Sequence, residues 1–417
     1  MKMKDSGIEW IGEIPEHWEV NKIGQFFRQR NTKVSDEEYE PLSVTKKGIM
    51  PQLDNVAKSK DRQNRKLVKK NDFVINSRSD RKGSSGLSEI EGAVSLINIV
   101  LEPSEKIFGR YINFLLKSYT FVEEFYRNGH GIVDDLWTTK YSEMKSIFIP
   151  IFPLPEQQKI ANFLDDKTAT IERIIELTKK SIEEYKSYKK SLITETVTKG
   201  LNPDVKMKDS GIEWIGEIPE HWEVVKLKKM TLLKTGKTPS SSGQNYWGDV
   251  FNWFTPGDFY NGLILKKSNR KLNLKSNIDK IVPFYPAYSI LIIGIGGTLG
   301  KIGIITQEAS SNQQITAIIP DKELESKYLL YFLLACQDYI RDNTLYTTMP
   351  ILNNQTLGNF QILRISIDEQ QKIANFLDEK CASIDKFIEQ KERLISELET
   401  YKKSMIFEYV TGKKEVL

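Results

Sequence analysis

The sequence predicts an α+β protein: two similar α/β globules separated by two long antiparallel coiled-coil helices, together forming a pseudo-two-fold internal repeat. Two exact repeats predict the duplication. Residues 2–20 recur letter for letter at 206–224, and the run EQQKIANFLD at 156–165 returns at 369–378. Identity over nineteen residues does not arise by chance, so the chain is two halves built on one plan. Heptad spacing of apolar residues after each second repeat predicts the long helices.

The repeats divide the chain into four parts. We call residues 2–20 the first clasp and residues 206–224 the second clasp. The clasps are offset by 204 positions and the second repeats by 213, so the two globules between them differ in length. The predicted parts are the first clasp and globule at 1–150, the first long helix at 155–200, the second clasp and globule at 206–365, and the second long helix at 369–412.

Composition narrows the class of protein. A chain of 417 residues is too long for one core, and 39% hydrophobic with 28% charged residues is ordinary for a globular protein with solvated helices. No apolar run approaches the roughly 18 to 20 residues that cross a bilayer, and the N-terminus does not resemble a secretion signal. Two cysteines, Cys336 and Cys381, fit a reducing cytoplasm and cannot form a structural zinc site by themselves.

Charge alone does not establish a nucleic-acid partner. The formal net charge is only +4, although residues 58–70 hold seven basic residues. Such a run is either a DNA-facing patch or a solvated surface. Each clasp has two tryptophans, Trp10 and Trp18 in the first copy, among four glutamates. Because carboxylates repel phosphate, we expect the tryptophans to pack against the protein rather than to stack on bases.

The long helices show a regular apolar series. In the first helix the series is Leu164, Ile171, Tyr185 and Leu192, with Ile174 and Tyr188 three residues further on. In the second it is Leu377, Ile384, Leu398 and Met405, with companions Phe387, Leu394 and Tyr401. This spacing predicts a coiled-coil seam. Two related helices pack most simply antiparallel, which would place the globules at opposite ends. Whether the seam pairs internally, with partner helices, or with both stays open.

The two globules are expected to share one fold. Residues 72–75 and 289–293 have the composition of buried strands, and each is followed by a Gly-rich turn. Another apolar segment and a short helix follow in both globules. The same order indicates diverged copies of one fold.

Several catalytic motifs are absent or incomplete. The run from Gly294 to Lys301 resembles a phosphate-binding loop, but its glycine spacing is one residue short and Ile302 replaces the hydroxyl that binds magnesium. It is better interpreted as a tight loop that offers Lys301 to a DNA phosphate. The run of Asp321, Glu325 and Lys327 resembles a nuclease metal site only weakly, because acidic residues also begin helices. Three histidines, two of them in acidic clasps, disfavour a histidine-based metal centre.

What remains is polar recognition chemistry. Arg and Lys bridge guanine O6 and N7, Asn and Gln bridge adenine N6 and N7, and lysines also hold phosphates. The candidates in the first globule are Arg62, Arg65, Lys66, Asn76, Arg78, Arg81 and Lys82. Those in the second are Lys237, Thr238, Ser240, Gln244, Asn245, Lys301, Asn312, Gln313, Gln314, Arg341 and Asn353. Asn and Gln are also ordinary turn residues, so each contact is a hypothesis.

These runs together resemble a known family. GIEWIGEIPEHWEV, PLPEQQKIANFLD, GKTP at 236–239, WFTPGD at 253–258, GKIG at 300–303 and NQQI at 312–315 are similar to the specificity subunits of type I restriction–modification systems. The resemblance spans essentially the whole chain. The first globule lacks the WFTPGD and GKIG runs.

The resemblance implies two target-recognition domains, each reading one half of a bipartite double-stranded DNA target, in a prokaryotic cytoplasm. It implies that the long helices space these domains and dock two modification (methyltransferase) subunits, which restriction subunits join. S-adenosylmethionine, ATP and magnesium would bind those partners, and this chain would hold no cofactor, no metal and no catalytic site. The expected docking residues are Leu164, Ile171, Ile174, Ile182, Tyr185, Leu192, Leu377, Ile384, Phe387 and Leu398.

Two rival functions remain open at this stage. One is an enzyme, a nuclease or methyltransferase that acts alone. The other is a scaffold whose coiled coil binds proteins while its globules bind no DNA. Incubation with magnesium, S-adenosylmethionine and DNA distinguishes the first, and a gel shift at stated salt distinguishes the second.

Overall fold

The computed structural model describes residues 2–52, 63–131, 137–240, 245–260, 262–342 and 351–416. The chain forms two compact units. Unit 1 comprises Met1–Lys179 and Lys391–Leu417, and unit 2 comprises Lys180–Gln390. Each unit contains one clasp, one globule and one end of each long helix.

Unit 1 begins with the clasp and continues into a globule of short strands. The strands are β1 (Met3–Asp5), β2 (Glu13–Pro15), β3 (Glu19–Lys22), β4 (Phe27–Gln29), β5 (Lys33–Val34), β6 (Leu42–Thr45), β7 (Gly48–Pro51), β8 (Arg65–Val68), β9 (Phe73–Asn76), β10 (Ser85–Leu87), β11 (Gly92–Ser95), β12 (Asn98–Pro103) and β13 (Phe148–Ile151). The helices are α1 (Gly109–Lys117), α2 (Tyr119–Arg127) and α3 (Tyr141–Met144).

The main sheet of unit 1 is four-stranded and antiparallel, in the order β10-β9-β12-β4. Every residue of β9 is buried, as expected for a central strand with a continuous apolar run. A three-stranded sheet, β11-β8-β5, and the hairpin β6-β7 complete the globule, while β13 pairs with β3 next to the clasp. The amphipathic helices α1 and α2 bury Tyr111, Leu115, Phe121 and Phe125 in the core shared with the clasp.

The first long helix, α4 (Leu154–Lys199), leads into unit 2. The strands that follow are β14 (Met207–Asp209), β15 (Glu217–Pro219), β16 (Glu223–Lys226), β17 (Thr231–Thr235), β18 (Trp247–Gly248), β19 (Phe251–Phe254), β20 (Ile264–Leu265), β21 (Arg270–Leu272), β22 (Ile290–Ile293), β23 (Ile302–Ile305), β24 (Ala309–Ser311), β25 (Ile315–Pro320) and β26 (Gln361–Arg364). The helices are α5 (Leu274–Ile278), α6 (Ser326–Ala335), α7 (Gln337–Asp342), α8 (Asn354–Asn359) and the second long helix, α9 (Ile367–Val410).

Unit 2 repeats the plan of unit 1 with larger sheets. Its five-stranded sheet has the order β17-β25-β22-β23-β20, and a second sheet has the order β18-β21-β19-β24. The pairing of β25 with β22 and β17 matches that of β12 with β9 and β4: Ile315 faces Ile293 as Asn98 faces Asn76, and the last residues, Pro320 and Pro103, pair with the first residues of β17 and β4. The duplication predicted from the clasps therefore extends to the registers of the sheets.

Each clasp packs against its own globule, as predicted. In unit 1 the Trp18 ring stacks on Phe152 with centroids 3.6 Å apart, and Trp10 meets Phe121 edge-on at 5.7 Å. In unit 2 Trp214 meets Phe332 edge-on at 5.5 Å and Trp222 is fully buried. The tryptophans thus belong to the core and do not form a base-stacking platform.

The long helices pair antiparallel within each unit. In unit 1 the rings of Phe163 and Tyr409 lie 4.5 Å apart, and Lys402 forms an ion pair with Glu172. In unit 2 the rings of Tyr185 and Phe387 lie 6.0 Å apart, and Lys189 is 2.7 Å from Asp385. In both units residue numbers rise along α4 as they fall along α9. The predicted fold class, duplicated mixed α and β units with packed long helices, is confirmed.

The prediction that the companion residues belong to the buried seam is wrong. The main series is buried or half-buried, but the residues three positions further on are exposed, with Ile174 at 41% and Phe387 at 50%. The second inward-facing row lies four positions on. Its members Thr168, Ile182 and Cys381 are buried, and Ile175, Ile388 and Ile395 are half-buried. Each helix also contacts a globule, so its buried stripe is broader than a two-helix seam and is rotated toward the fourth position.

Candidate nucleic-acid interface

Loops that join the strands of unit 2 gather at one edge of its five-stranded sheet. β17 and β22 end there, and β23 and β25 begin there, because Thr235 pairs with Thr316 and Ile293 with Ile315. We call loops 236–240, 294–301 and 312–314 the second loop edge. It brings together the predicted residues Lys237, Thr238, Ser240, Lys301, Gln313 and Gln314. Asn353 lies close to this edge as well, because the N–H of its neighbour Leu352 donates to the Gly294 carbonyl.

The loop after β17 is held tightly against the neighbouring strand. A Cβ on Gly236 would lie 2.1 Å from the carbonyl oxygen of Asn312, so only glycine fits. The Lys237 N–H donates to the Ser311 carbonyl at 2.9 Å, and the Trp253 indole donates to the Lys237 carbonyl at 3.1 Å. With its backbone fixed on both sides, Lys237 directs an exposed side chain away from the sheet.

The 312–314 turn is rigid and presents an amide. Asn312 is 8% exposed; its Oδ1 accepts the Gln314 N–H at 3.1 Å, and its Nδ2 donates to Gln314 Oε1 at 2.9 Å. Gln313 is exposed, and its Oε1 accepts the Thr238 hydroxyl at 2.7 Å. That bond orients the amide so that its N–H₂ group points elsewhere, and no described residue accepts it. A fixed amide donor at a loop tip suits recognition of a base edge.

Basic side chains without acidic partners surround this edge. Among the described residues Lys237 and Lys301 have no carboxylate within ion-pair distance. Lys301 follows Gly300, whose φ is +83°. The Lys301 carbonyl accepts the Ile293 N–H at 2.9 Å. The tight turn therefore exposes Lys301 at the start of β23, where a phosphate would find a free ammonium group.

Arg270 is a candidate that the sequence analysis missed. Its guanidinium carbon lies 3.4 Å above the Trp247 ring centroid and 5.4 Å from that of Trp253. Arg270 pairs with Trp253 across β21 and β19, and Trp253 in turn holds the Lys237 loop. The guanidinium is planar, and stacking on the indole fixes the orientation of that plane while the residue stays exposed, a geometry suited to bidentate contacts. No motif marks it, because the contact depends on strand register.

Other predicted residues of unit 2 have local partners. Arg341 pairs with Asp338 on α7, which also receives Lys190 at 2.5 Å, and these cations lower the pKa of Asp338. The Asn353 side chain caps α8 by accepting the Thr356 N–H at 2.8 Å, and Asn245 caps a turn through the Trp247 N–H at 3.1 Å. Gln244 lies outside the described residues.

Unit 1 has an equivalent edge formed by loop 77–84 and the turn 96–97, which we call the first loop edge. Arg78 is exposed, and its N–H donates to Asn76 Oδ1 at 3.0 Å. The Arg81 side chain is 67% exposed, with Asp80 3.9 Å away. Lys82 pairs with Glu123 at 2.6 Å. Arg78 and Arg81 are therefore the most accessible cations of this edge.

Four first-globule predictions need correction or lie outside the structure. Arg65 is 5% exposed and pairs with Asp36 at 3.3 Å, since it lies within β8 rather than in a loop. Lys66, also on β8, donates to the Asn98 carbonyl at 2.7 Å, and burial lowers its pKa. Asn76 is 6% exposed. Like Asn312, these side chains lie within the globule and support the edge instead of being exposed on it. Arg62 lies outside the described residues.

The acidic residues considered as a nuclease site have structural partners. Asp321 Oδ1 accepts the Glu323 N–H at 2.9 Å, and Glu325 caps α6 by accepting the Tyr328 N–H at 2.6 Å. Lys327 pairs with Asp378 at 2.5 Å. In the part of the chain that the structure describes, no group of three His, Cys, Asp or Glu residues is placed to hold a metal ion. None of its helices is long and apolar enough to span a membrane.

The long helices expose apolar side chains beside the buried seam. Among the residues predicted to dock partners, Leu164, Ile171, Ile182, Leu377 and Ile384 are buried, and Tyr185, Leu192 and Leu398 are half-buried. Ile174 and Phe387 are exposed. Near them lie other exposed side chains that the sequence analysis assigned to the seam or overlooked: Leu177 and Tyr188 on α4, and Leu394 and Tyr401 on α9.

Comparison with known proteins identifies the family. The family described as Type I restriction modification DNA specificity domain matches residues 15–184 and 219–400. The chain belongs to this family. Each match includes most of one globule and much of one long helix, so the internal duplication is a duplication of this domain.

Two relatives are similar along nearly their whole length. The chain is 29% identical to the type I restriction enzyme MjaVIII specificity subunit of Methanocaldococcus jannaschii, covering 97% of this chain and 94% of the relative. It is 24% identical to the putative MjaX specificity subunit of the same organism, covering 97% and 96%.

Solved structures share the fold at low sequence identity. A chain from a study of complex assembly and conformational transition of the type I R-M system superposes with a TM-score of 0.78 at 15% identity, covering 96% of this chain and 99% of that one. The HsdS subunit from Thermoanaerobacter tengcongensis gives a TM-score of 0.59 at 16% identity, covering 96% and 98%. The family match makes the chain a type I specificity subunit with two DNA-recognition domains. The solved structures show that it has the corresponding fold.

Proposed function

We propose that each loop edge reads one half of a bipartite double-stranded DNA target. The observation that carries this proposal is the duplicated edge itself, at which equivalent strand ends carry different side chains. Exposed Lys237, Arg270 and Lys301 supply phosphate or guanine contacts at the second edge, and Gln313 supplies an amide donor. A shared frame with divergent loops is what two independent half-sites require.

The long helices would set the distance between the half-sites. The continuous span of α4 over 46 residues and of α9 over 44 gives each helix a length of roughly 66 to 69 Å at 1.5 Å per residue. Antiparallel pairing stiffens both helices against bending. Removing one turn from each helix should then shorten the gap between half-sites and leave both half-sites unchanged.

The exposed apolar side chains of the long helices would receive two modification subunits. Large exposed apolar patches mark interfaces in many proteins, and exposed Ile174 and Leu177 lie one turn apart on α4. We assign this role to Ile174, Leu177 and Leu394 in unit 1 and to Tyr188 and Phe387 in unit 2, which lie outside the buried seam. The methyltransferase and restriction activities would belong to those partners, together with S-adenosylmethionine, ATP and magnesium. This chain would act in a prokaryotic cytoplasm as a non-catalytic reader.

Methylome sequencing tests this proposal directly. Cells that express the chain with its modification subunits should carry methylation at one bipartite sequence with a fixed gap. Exchange of residues 21–150 for the equivalent globule of a relative should replace one half-site only. If both half-sites change, or if the complex methylates no defined sequence, the two edges are not independent readers. Binding of partners without any DNA shift would instead support the scaffold function.

A further inference from the structure

The two-residue turn at the first loop edge has an unusual composition. Leu96 and Ile97 connect β11 to β12 and are 43% and 36% exposed. Turns are built mostly from Gly, Pro, Asn, Asp and Ser, and the polar members of this set bond to the local backbone. Turn chemistry therefore does not account for two adjacent aliphatic side chains. A single exposed aliphatic residue is ordinary, but a pair at a loop tip is less so.

The register of the sheets identifies the counterpart of this turn in unit 2. Asn98 opposite Asn76 corresponds to Ile315 opposite Ile293, and Pro103 corresponds to Pro320. Counting back from these pairs places Leu96 where Gln313 stands and Ile97 where Gln314 stands. The position that carries amides at the second loop edge thus carries aliphatic groups at the first.

The turn is held rigidly. The Asn98 side chain, 4% exposed, donates to the Ser95 carbonyl at 3.2 Å and so closes the turn. The Lys66 ammonium donates to the Asn98 carbonyl at 2.7 Å from beneath. Both bonds fix the backbone at each end of the pair, so Leu96 and Ile97 are presented outward rather than folded onto the core.

Positive charge lies close to this aliphatic tip. Asn98, which directly follows the turn, pairs with Asn76 on β9. Arg78 lies two residues after Asn76 and has an exposed side chain. Among the described residues Arg78 has no carboxylate within ion-pair distance. A cation beside an aliphatic tip fits a DNA groove, in which phosphates flank the bases. The apolar group offered by a base edge in the major groove is the C5 methyl of thymine.

We propose that Leu96 and Ile97 determine specificity at the first half-site by contacting a thymine methyl group. This inference rests on the proposed function and adds the kind of base read and the side chains that read it. The two recognition domains would then use different chemistry at one structural position, amide hydrogen bonds in one and aliphatic contact in the other.

Removal of the thymine methyl from DNA tests the contact. Each dT of both half-sites is replaced in turn by dU, and the affinity of the complex of this chain with its modification subunits is measured at fixed salt. Burial of one methyl group supports an effect of about three- to fivefold. For the wild-type chain we expect that loss at one or more thymines of one half-site.

The variant Leu96→Ser with Ile97→Ser should lose this dependence on the methyl group, so that dT and dU targets bind it equally well. Ile90→Ser is the matched control, because Ile90 is 38% exposed in the turn before β11, at the opposite end of that strand. The control should keep the wild-type response to dU. Thermal unfolding of the double variant, with a melting temperature equal to that of the wild type, shows that the variant is folded.

Two outcomes overturn the inference without affecting the proposed function. One is a double variant that retains the full dU effect at the same thymine. The other is wild-type binding that is specific but insensitive to dU throughout both half-sites. Absence of any sequence-specific binding by the wild-type complex would instead contradict the proposed function.

Discussion

The indole Nε1 of Trp18 donates a hydrogen bond to Oε1 of Glu156 at 3.0 Å, joining the first clasp to the first turn of α4. The copies Trp222 and Glu369 form the same bond at 3.2 Å in unit 2. Trp18 lies in the nineteen-residue repeat and Glu156 in the EQQKIANFLD repeat. The two repeated segments are therefore two sides of one contact, which is the same in both units.

Loss of this bond should destabilise unit 1. Glu156→Ala leaves the indole N–H of Trp18, which is 1% exposed, without its acceptor. Leaving a buried donor unpaired costs about 1–3 kcal/mol, so we expect a decrease of that size in the free energy of unfolding. Urea unfolding followed by tryptophan fluorescence measures it. Glu16→Ala, an exposed clasp glutamate, is the control and should change stability by less than about 0.5 kcal/mol.

The turn that follows α9 should tolerate no side chain at Gly412. Its φ is +72°, and a Cβ there would lie 2.5 Å from Cδ of Pro15 and 2.9 Å from the Trp18 ring. Gly412→Ala therefore combines backbone strain with a clash, and we expect the clasp to loosen. Gly7→Ala separates the two effects, because Gly7 has φ +68° but no heavy atom within 4 Å of the added Cβ.

Gly412→Ala should lower the melting temperature of unit 1 more than Gly7→Ala, which pays only the strain of about 1 kcal/mol. Hydrogen exchange of the clasp amides provides a second measurement and should accelerate only in the Gly412 variant. Equal effects of the two substitutions would show that residue 412 does not pack against Pro15 and Trp18 of the first clasp.

The sequence predicted the duplication and the helices more fully than the surfaces. Exact repeats and heptads are local patterns, so Leu164 and Leu377 could be placed in the seam directly. Whether the second buried row lies three or four positions on depends on which side a globule covers, and that is a tertiary property. Arg65 and Asn312 were misplaced for the same reason: the residue types suit DNA contacts, but the strand register buries them. Arg270 was missed because its partner Trp247 is distant in sequence.

The two thiols should report the unfolding of unit 2 specifically. Cys336 and Cys381 are both buried in its core, and burial raises the pKa of each thiol. Since only the thiolate reacts, neither should be labelled by a disulfide reagent at pH 8 in the folded chain. Both should react as urea unfolds unit 2. Rapid stoichiometric labelling without urea would show that this core opens readily.

Substitutions on α9 should separate docking from folding. Leu394 is 42% exposed, whereas Leu398, one turn further, is half-buried and packs on the core of unit 1. Leu394→Glu should weaken assembly with the modification subunits by at least tenfold and leave the melting temperature unchanged. Leu398→Ala should lower stability by about 1–2 kcal/mol. Sedimentation of mixed subunits and thermal unfolding measure the two effects; unimpaired assembly of the Leu394 variant would exclude this face as the dock.

At the second loop edge, Lys301 and Gln313 should affect DNA binding differently. Lys301 is an exposed cation without an acidic partner among the described residues, so Lys301→Ala should weaken binding to all sequences alike and reduce the salt slope by about 1. Gln313 offers an oriented amide, so Gln313→Ala should relax preference at one base pair, by about 1–3 kcal/mol, and keep the salt slope. Titrations at several salt concentrations, on the target and on single-base variants, compare the two. A sequence-selective effect of Lys301→Ala would reassign this lysine from the phosphate to a base.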